Sequence, residues 1–101
     1  RRGEGPQAGA GRLMATRGNL SVSVLSPEQT VFEGEATHVV VPALDGLLGI
    51  LRGHAPLMAI LGEGILRVEN AGTTQSFRIS GGFLQVADDV VTVLSEHAQA
   101  A

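Results

Sequence analysis

The alternation that begins at Leu20 constrains this chain more than any other feature. In LSVSV, Leu20, Val22 and Val24 fall on one side and Ser21 and Ser23 on the other. That is the period-two pattern of a half-buried strand, not the longer repeat of a helix. Further β-rich runs follow as THVVVPA, LLGIL, LMAIL, ILRVEN, TTQSFRIS, FLQVA and VVTVLS. Between them stand turn signals: Ser26-Pro27, Glu33-Gly34, Asp45-Gly46, Arg52-Gly53, Gly62-Glu63-Gly64, Asn70-Ala71-Gly72, Gly81-Gly82 and Asp88-Asp89. Short strands punctuated roughly every 8 to 12 residues make an all-β sandwich or barrel and leave no room for long helices.

Two hairpins follow from local chemistry. In ILRVENAGTTQSFRI, Gly72 supplies a left-handed position in the turn. Leu66 and Val68 then face inward with Phe77 and Ile79, leaving Arg67, Glu69 and Arg78 in water. In FLQVADDVVTVL the Asp88-Asp89 pair caps a tight turn, and Leu84 and Val86 pack near Val91 and Val93. Both pairs are antiparallel by this reading. With Phe32, Phe77 and Phe83 as the only aromatic residues, the core must be largely aliphatic.

A length of 101 residues and a hydrophobic content of 44% suit one domain with one modest core. The net charge of -3 conceals an asymmetry. Residues 1–19 hold four arginines against one glutamate, whereas residues 20–101 hold three arginines against nine carboxylates, a body of -6. Residues 1–19, rich in Gly, Ala and Arg, show no apolar period and no signal-peptide core; they are expected to be a disordered lead-in or an upstream extension. An acidic body without lysine, tyrosine or tryptophan does not suit nucleic acid, which calls for a basic groove with stacking aromatics. No apolar run approaches the roughly 20 residues of a spanning helix.

Without cysteine there is no disulfide, thiolate site or cysteine nucleophile. His38, His54 and His97 are far apart and lack the spacing that sets two metal ligands on one face, so no metal site is expected. Neither GEGILR nor ISGGF has the lysine and following helix of a phosphate loop, and no serine sits in a nucleophile elbow. His54 stands out because Gly53 permits a sharp bend and Pro56 keeps Ala55 extended, which suits loop-bracing or partner contact better than catalysis. No cofactor is expected. The generic alternative is a small β-module for a carbohydrate or peptide, but such sites usually expose aromatic side chains.

The segments LSPEQTVFEGE, DGLLGILRGHAPL and SGGFLQV occur in one order and spacing within residues 20–98. Together they resemble the amino-terminal β-sandwich of the epsilon subunit of bacterial F-type ATP synthases, counterpart of the mitochondrial delta subunit. The resemblance implies a flattened sandwich of about ten mostly antiparallel strands over residues 20–98, followed by a short tail at 99–101. It also implies a non-catalytic rotor subunit that links the gamma subunit of the central stalk to the c-ring, coupling proton translocation to ATP synthesis. Such a subunit sits peripherally at the cytoplasmic face of the bacterial plasma membrane; the free chain is expected to be monomeric.

By position, the resemblance marks Asp45, Gly46, Leu47, Gly49, Arg52, Gly53 and His54 as candidates for the c-ring or gamma interface, in a loop near the ring-facing end. Family members often carry an acidic residue where this chain has Leu47. Asp45, two residues earlier, is the candidate to supply that charge, so Asp45 and His54 are expected to flank the ring contact. Many family members continue into a two-helix domain that inhibits ATP hydrolysis and in some species binds ATP. That helical hairpin is expected to be absent here, and with it both properties.

Overall fold

The computed structural model describes residues 19–101, and within them ten strands follow one another without a helix. They are β1 (Leu20–Leu25), β2 (Thr30–Ala36), β3 (His38–Ala43), β4 (Gly46–Leu51), β5 (Leu57–Ile60), β6 (Glu63–Asn70), β7 (Thr73–Ser80), β8 (Phe83–Ala87), β9 (Val90–Leu94) and β10 (His97–Ala100). One five-stranded sheet has the order β2-β1-β9-β8-β5 and the other β10-β7-β6-β3-β4. All pairings are antiparallel except β1 with β9, which runs parallel. The expected sandwich of about ten mostly antiparallel strands is therefore what forms. The lead-in expected at residues 1–19 lies, apart from Asn19, outside the described residues.

The alternation decides what enters the core. Leu20, Val22, Val24, Val39, Val41, Ile50, Leu66, Ile79, Leu84, Val86, Val91 and Val93 are fully buried between the sheets. Each contributes about 1.5–3 kcal/mol by leaving water. Phe77 is the aromatic member of this core, with Phe32 tilted against it at a centroid distance of 5.5 Å. Leu66 opposes Phe77 across β6 and β7, and Val86 opposes Val91 across β8 and β9, so both expected hairpins form with their inward sets as read. Each turn has two central residues at positive φ: Ala71 (52°) with Gly72 (84°), and Asp88 (51°) with Asp89 (63°). That combination is the type I′ geometry matched to strand twist.

Three departures from the sequence pattern have physical causes. Glu33-Gly34 reads as a turn but lies inside β2, because Gly34 makes room for the Phe32 ring: a Cβ there would stand 3.0 Å from the ring. Glu63-Gly64 likewise opens β6 and does not belong to the preceding turn. The run HAQA has no β-branched residue, yet it forms β10 through its ladder with β7, from His97 opposite Ser80 to Ala100 opposite Phe77. Gln99 and Ala100 thus belong to the sandwich, where a tail was expected.

Ser95, buried at the crossing from β9 to β10, fastens the two sheets together. Its amide donates to the Leu25 carbonyl at 2.9 Å, while its hydroxyl accepts from the Ser80 amide and lies 2.7 Å from the His97 carbonyl. Opposite it, Gly82 takes φ +102°, and a Cβ would overlap the Leu94 carbonyl. Gly72 also has positive φ but open space around it. Gly72→Ala should therefore cost about 1–2 kcal/mol for the left-handed backbone alone. Gly82→Ala should cost about 3 kcal/mol or more, because the backbone of β9 must move as well. Urea unfolding of the two variants checks the ordering; equal losses would contradict it.

Candidate functional site

The residues from Asp45 to His54 do not form a loop. They make the edge strand β4 with a turn at each end, since LLGIL alternates well enough to pair all along β3, from Ala43 opposite Gly46 to His38 opposite Leu51. Asp45 lies exposed in the Leu44-Asp45 turn, and Gly46, at φ +129°, opens the strand. Leu47 is 70% exposed beside Pro42 on the outer face. Gly49, two residues on, leaves space over the His38 ring, whose Nε2 would lie 3.5 Å from a Cβ. Arg52 and Gly53 make the turn at the far end, closed by the His54 amide donating to the Leu51 carbonyl at 3.1 Å. At a strand rise of about 3.3 Å per residue, Asp45 and His54 stand roughly 20 Å apart. They flank an edge, and a small contact at one end of the sandwich reaches only one of them.

His54 is half-buried, and its Nδ1 lies 2.8 Å from the Ala55 carbonyl, the loop-bracing geometry that Gly53 and Pro56 permit. His38 instead faces Glu69, with Nδ1 3.4 Å from the carboxylate on the exposed side of β3 and β6. His38 and His54 thus have separate partners. Among the described residues, no three His, Asp or Glu side chains group as a metal ion would require.

The alternation hides a surface that the motifs do not mark. On the outer face of the first sheet, Leu25, Leu94, Phe83 and Ile60 are successive cross-strand partners on β1, β9, β8 and β5. The next row is Ser23, Thr92, Gln85 and Met58. Met58 and Ile60 are each more than 60% exposed, and Val90 is exposed in the row of Ser21 and Ala87. No ionisable side chain occurs in these four strands. Glu33 and Glu35, on neighbouring β2, mark the boundary. The outer face of the second sheet carries His38, Arg67, Glu69 and Arg78 instead. A signal existed in the sequence: the polar half of each alternation in β1, β8 and β9 is Ser, Thr or Gln, never charged.

The uncharged face and the β4 edge adjoin. Strands β4 and β5 border the same open flank of the sandwich, tied at one corner by the Leu44 amide donating to Ile60 and the Gly62 amide to Pro42. Between them lies a groove of about 480 Å³ lined by Leu44, Leu47, Leu48, Leu57, Met58 and Ile60, among others. The groove is shallow and mostly apolar, with Asp45 as its one ionisable lining residue.

Ten strands in this order, in two five-stranded sheets closed on an aliphatic core, define a β-sandwich domain. Residues 19–101 match the family model described as ATP synthase, Delta/Epsilon chain, beta-sandwich domain, and the chain belongs to that family. It is 42% identical over 78 residues to the ATP synthase epsilon chain of Leptospira borgpetersenii, covering 77% of this chain and 61% of the relative. It is 46% identical over 81 residues to that of Synechococcus sp. strain WH7803, covering 80% and 60%. The chain thus spans about three-fifths of the length of these relatives. Among solved structures, it is similar to a chain of the Euglena gracilis mitochondrial ATP synthase, in an assembly of OSCP, F1 and c-ring. The TM-score is 0.78 at 25% identity, covering 83% of this chain and 54% of the other. A Tetrahymena thermophila central stalk and c-ring structure shares the fold at a TM-score of 0.65 and 14% identity, covering 78% and 64%.

The separation of Asp45 from His54 has a measurable consequence. If both contribute to one contact along the β4 edge, the losses in partner affinity of Asp45→Ala and His54→Ala should add within about 0.5 kcal/mol, as for sites beyond 7–10 Å. Titration of single and double variants against the isolated c-ring measures this. A coupling of about 1 kcal/mol or more would contradict the two-ended geometry.

Proposed function

We propose that this chain supplies the stalk-mounted sandwich of an F-type ATP synthase rotor, a non-catalytic part that joins the gamma subunit to the c-ring. Coupling of proton flow to ATP synthesis then requires that ring and stalk turn together. A rigid two-sheet body suits that task, because torque is lost wherever a linking element bends.

The observation that carries this reading is the uncharged outer face of β1, β9, β8 and β5 in the first sheet. Interface centres are depleted of charge and hold aromatic residues and methionine, and this face offers Phe83 and Met58 among Leu25, Ile60 and Leu94. We assign it to gamma. The ring contact we assign to the adjoining β4 edge, with Asp45, Gly46, Leu47, Gly49, Arg52, Gly53 and His54 as its residues. Leu47 brings no charge to the ring, so its contribution there is apolar, and Asp45 at the turn is the acid within reach. In this role the protein is peripheral, held through the complex at the cytoplasmic face of the bacterial plasma membrane. Among its described residues no helix is long and apolar enough to cross a membrane.

Placing a carboxylate in the middle of the apolar row tests the assignment to gamma. Phe83→Asp should leave the fold intact, because the ring of Phe83 lies on the outer face, but weaken capture of purified gamma at least about tenfold, or 1.4 kcal/mol. Wild-type affinity in a folded Phe83→Asp chain would refute the assignment.

A further inference from the structure

The turn that ends β4 is held from the opposite sheet. Leu51, Arg52, Gly53 and His54 form a β-turn in which Gly53, the third residue, takes φ +84°. Positive φ at that position belongs to a type II turn. The Gly53 amide points out of the turn and donates to Oδ1 of Asp89 at 2.7 Å. Asp89 lies 36 residues further along the chain, in the β8–β9 turn of the first sheet, whereas β4 belongs to the second. The backbone of Asp89 is itself fixed, since its carbonyl accepts the Ser21 amide at 2.9 Å. One residue thus joins the start of β1, the β8–β9 turn and the β4–β5 crossing.

We propose that Asp89 is a positioning residue: its carboxylate latches the Arg52-Gly53-His54 turn to the first sheet and so fixes the far end of the β4 edge for partner contact. The position in the fold gives the latch its importance. Residues 52–56 carry the chain from one sheet to the other outside both ladders, so side-chain hydrogen bonds must supply the rigidity that strand pairing supplies elsewhere. A hydrogen bond to an ionised acceptor is stronger than a neutral one and directional. His54 braces the turn locally through the Ala55 carbonyl, and Asp89 secures it to the body of the domain. The role in partner contact rests on the assignment of the β4 edge to the ring; the latch itself does not.

Two substitutions separate the carboxylate from the turn that carries it. Asp89→Gly keeps the positive φ of 63° without strain but removes the acceptor, whereas Asp89→Asn keeps both an acceptor oxygen and a tolerated left-handed backbone. Amide hydrogen exchange of the full chain should show Gly53 exchanging about tenfold faster or more in Asp89→Gly, with core amides unchanged and Asp89→Asn between Asp89→Gly and wild type. Capture of the c-ring should fall in Asp89→Gly and recover in Asp89→Asn. Unchanged exchange at Gly53 in Asp89→Gly would overturn the latch. Faster exchange with undiminished ring capture would overturn the positioning role. A wild-type chain that captures no ring would overturn the ring assignment and the positioning role with it, while the exchange result still decides the latch.

Discussion

The rest of this structure depends on one constraint: ten short strands must bury alternate residues in a single thin aliphatic layer. The side-chain period of a strand is two, so a residue that points inward obliges its neighbours to point out. Sixteen apolar residues fill the layer between the sheets. Their placement sets the register of every ladder and thereby assembles the outer faces, residue by residue, from what is left. A slip of one position in β8 would bring Gln85 into the core and send Leu84 and Val86 to solvent. The surface is therefore as firmly specified as the core, because the same alternation generates both.

The two outer faces have diverged within that constraint. On the second sheet the outward positions include Arg67, Glu69, Arg78 and His38, with the exposed Leu47 and Leu51 on its β4 edge. On β1, β9, β8 and β5 of the first sheet they are filled by leucine, isoleucine, valine, alanine, methionine, phenylalanine, serine, threonine and glutamine, and Glu33 and Glu35 follow on β2. Solubility alone does not call for the second set, since hydroxyl and amide side chains among exposed apolar ones suit burial against another protein. The open flank between β4 and β5 continues that surface around the edge of the sandwich. In the proposed rotor the stalk and the ring then meet adjoining parts of one rigid body, and the load between them crosses few bonds.

Much of this was legible in the sequence, and the parts that were not share a cause. LSVSV, FLQVA and VVTVL announce their strands because β-branched and apolar residues alternate strictly, and both hairpins follow from Ala71-Gly72 and Asp88-Asp89. Strand β2 was hidden because Gly34 serves the Phe32 ring above it, a tertiary demand that a local pattern renders as a turn. Strand β10 was hidden because backbone pairing with β7, not side-chain preference, makes HAQA extended. The candidate interface was legible as a segment but not as a shape. The residues themselves read as a β run, LLGIL, between turns at Asp45-Gly46 and Arg52-Gly53, and it was the resemblance that made the segment a loop; pairing with β3 draws it straight and parts Asp45 from His54. The contact between Asp89 and Gly53 joins two turns on different sheets, and no sequence pattern carries a distance of that kind.

If the uncharged face of β1, β9, β8 and β5 seats the gamma subunit, and the outer face of the second sheet does not, bound gamma must shield the one and leave the other open to solvent. The chain has no cysteine, so single reporters can be placed at will. Gln85→Cys puts a thiol at the middle of the uncharged face and Arg67→Cys puts one on the opposite face, both at exposed positions. The rate of maleimide labelling with and without bound gamma is the most direct measurement. Gamma should protect Cys at position 85 and leave position 67 labelled at its free rate; protection of position 67 with position 85 still open would put the gamma seat on the other sheet.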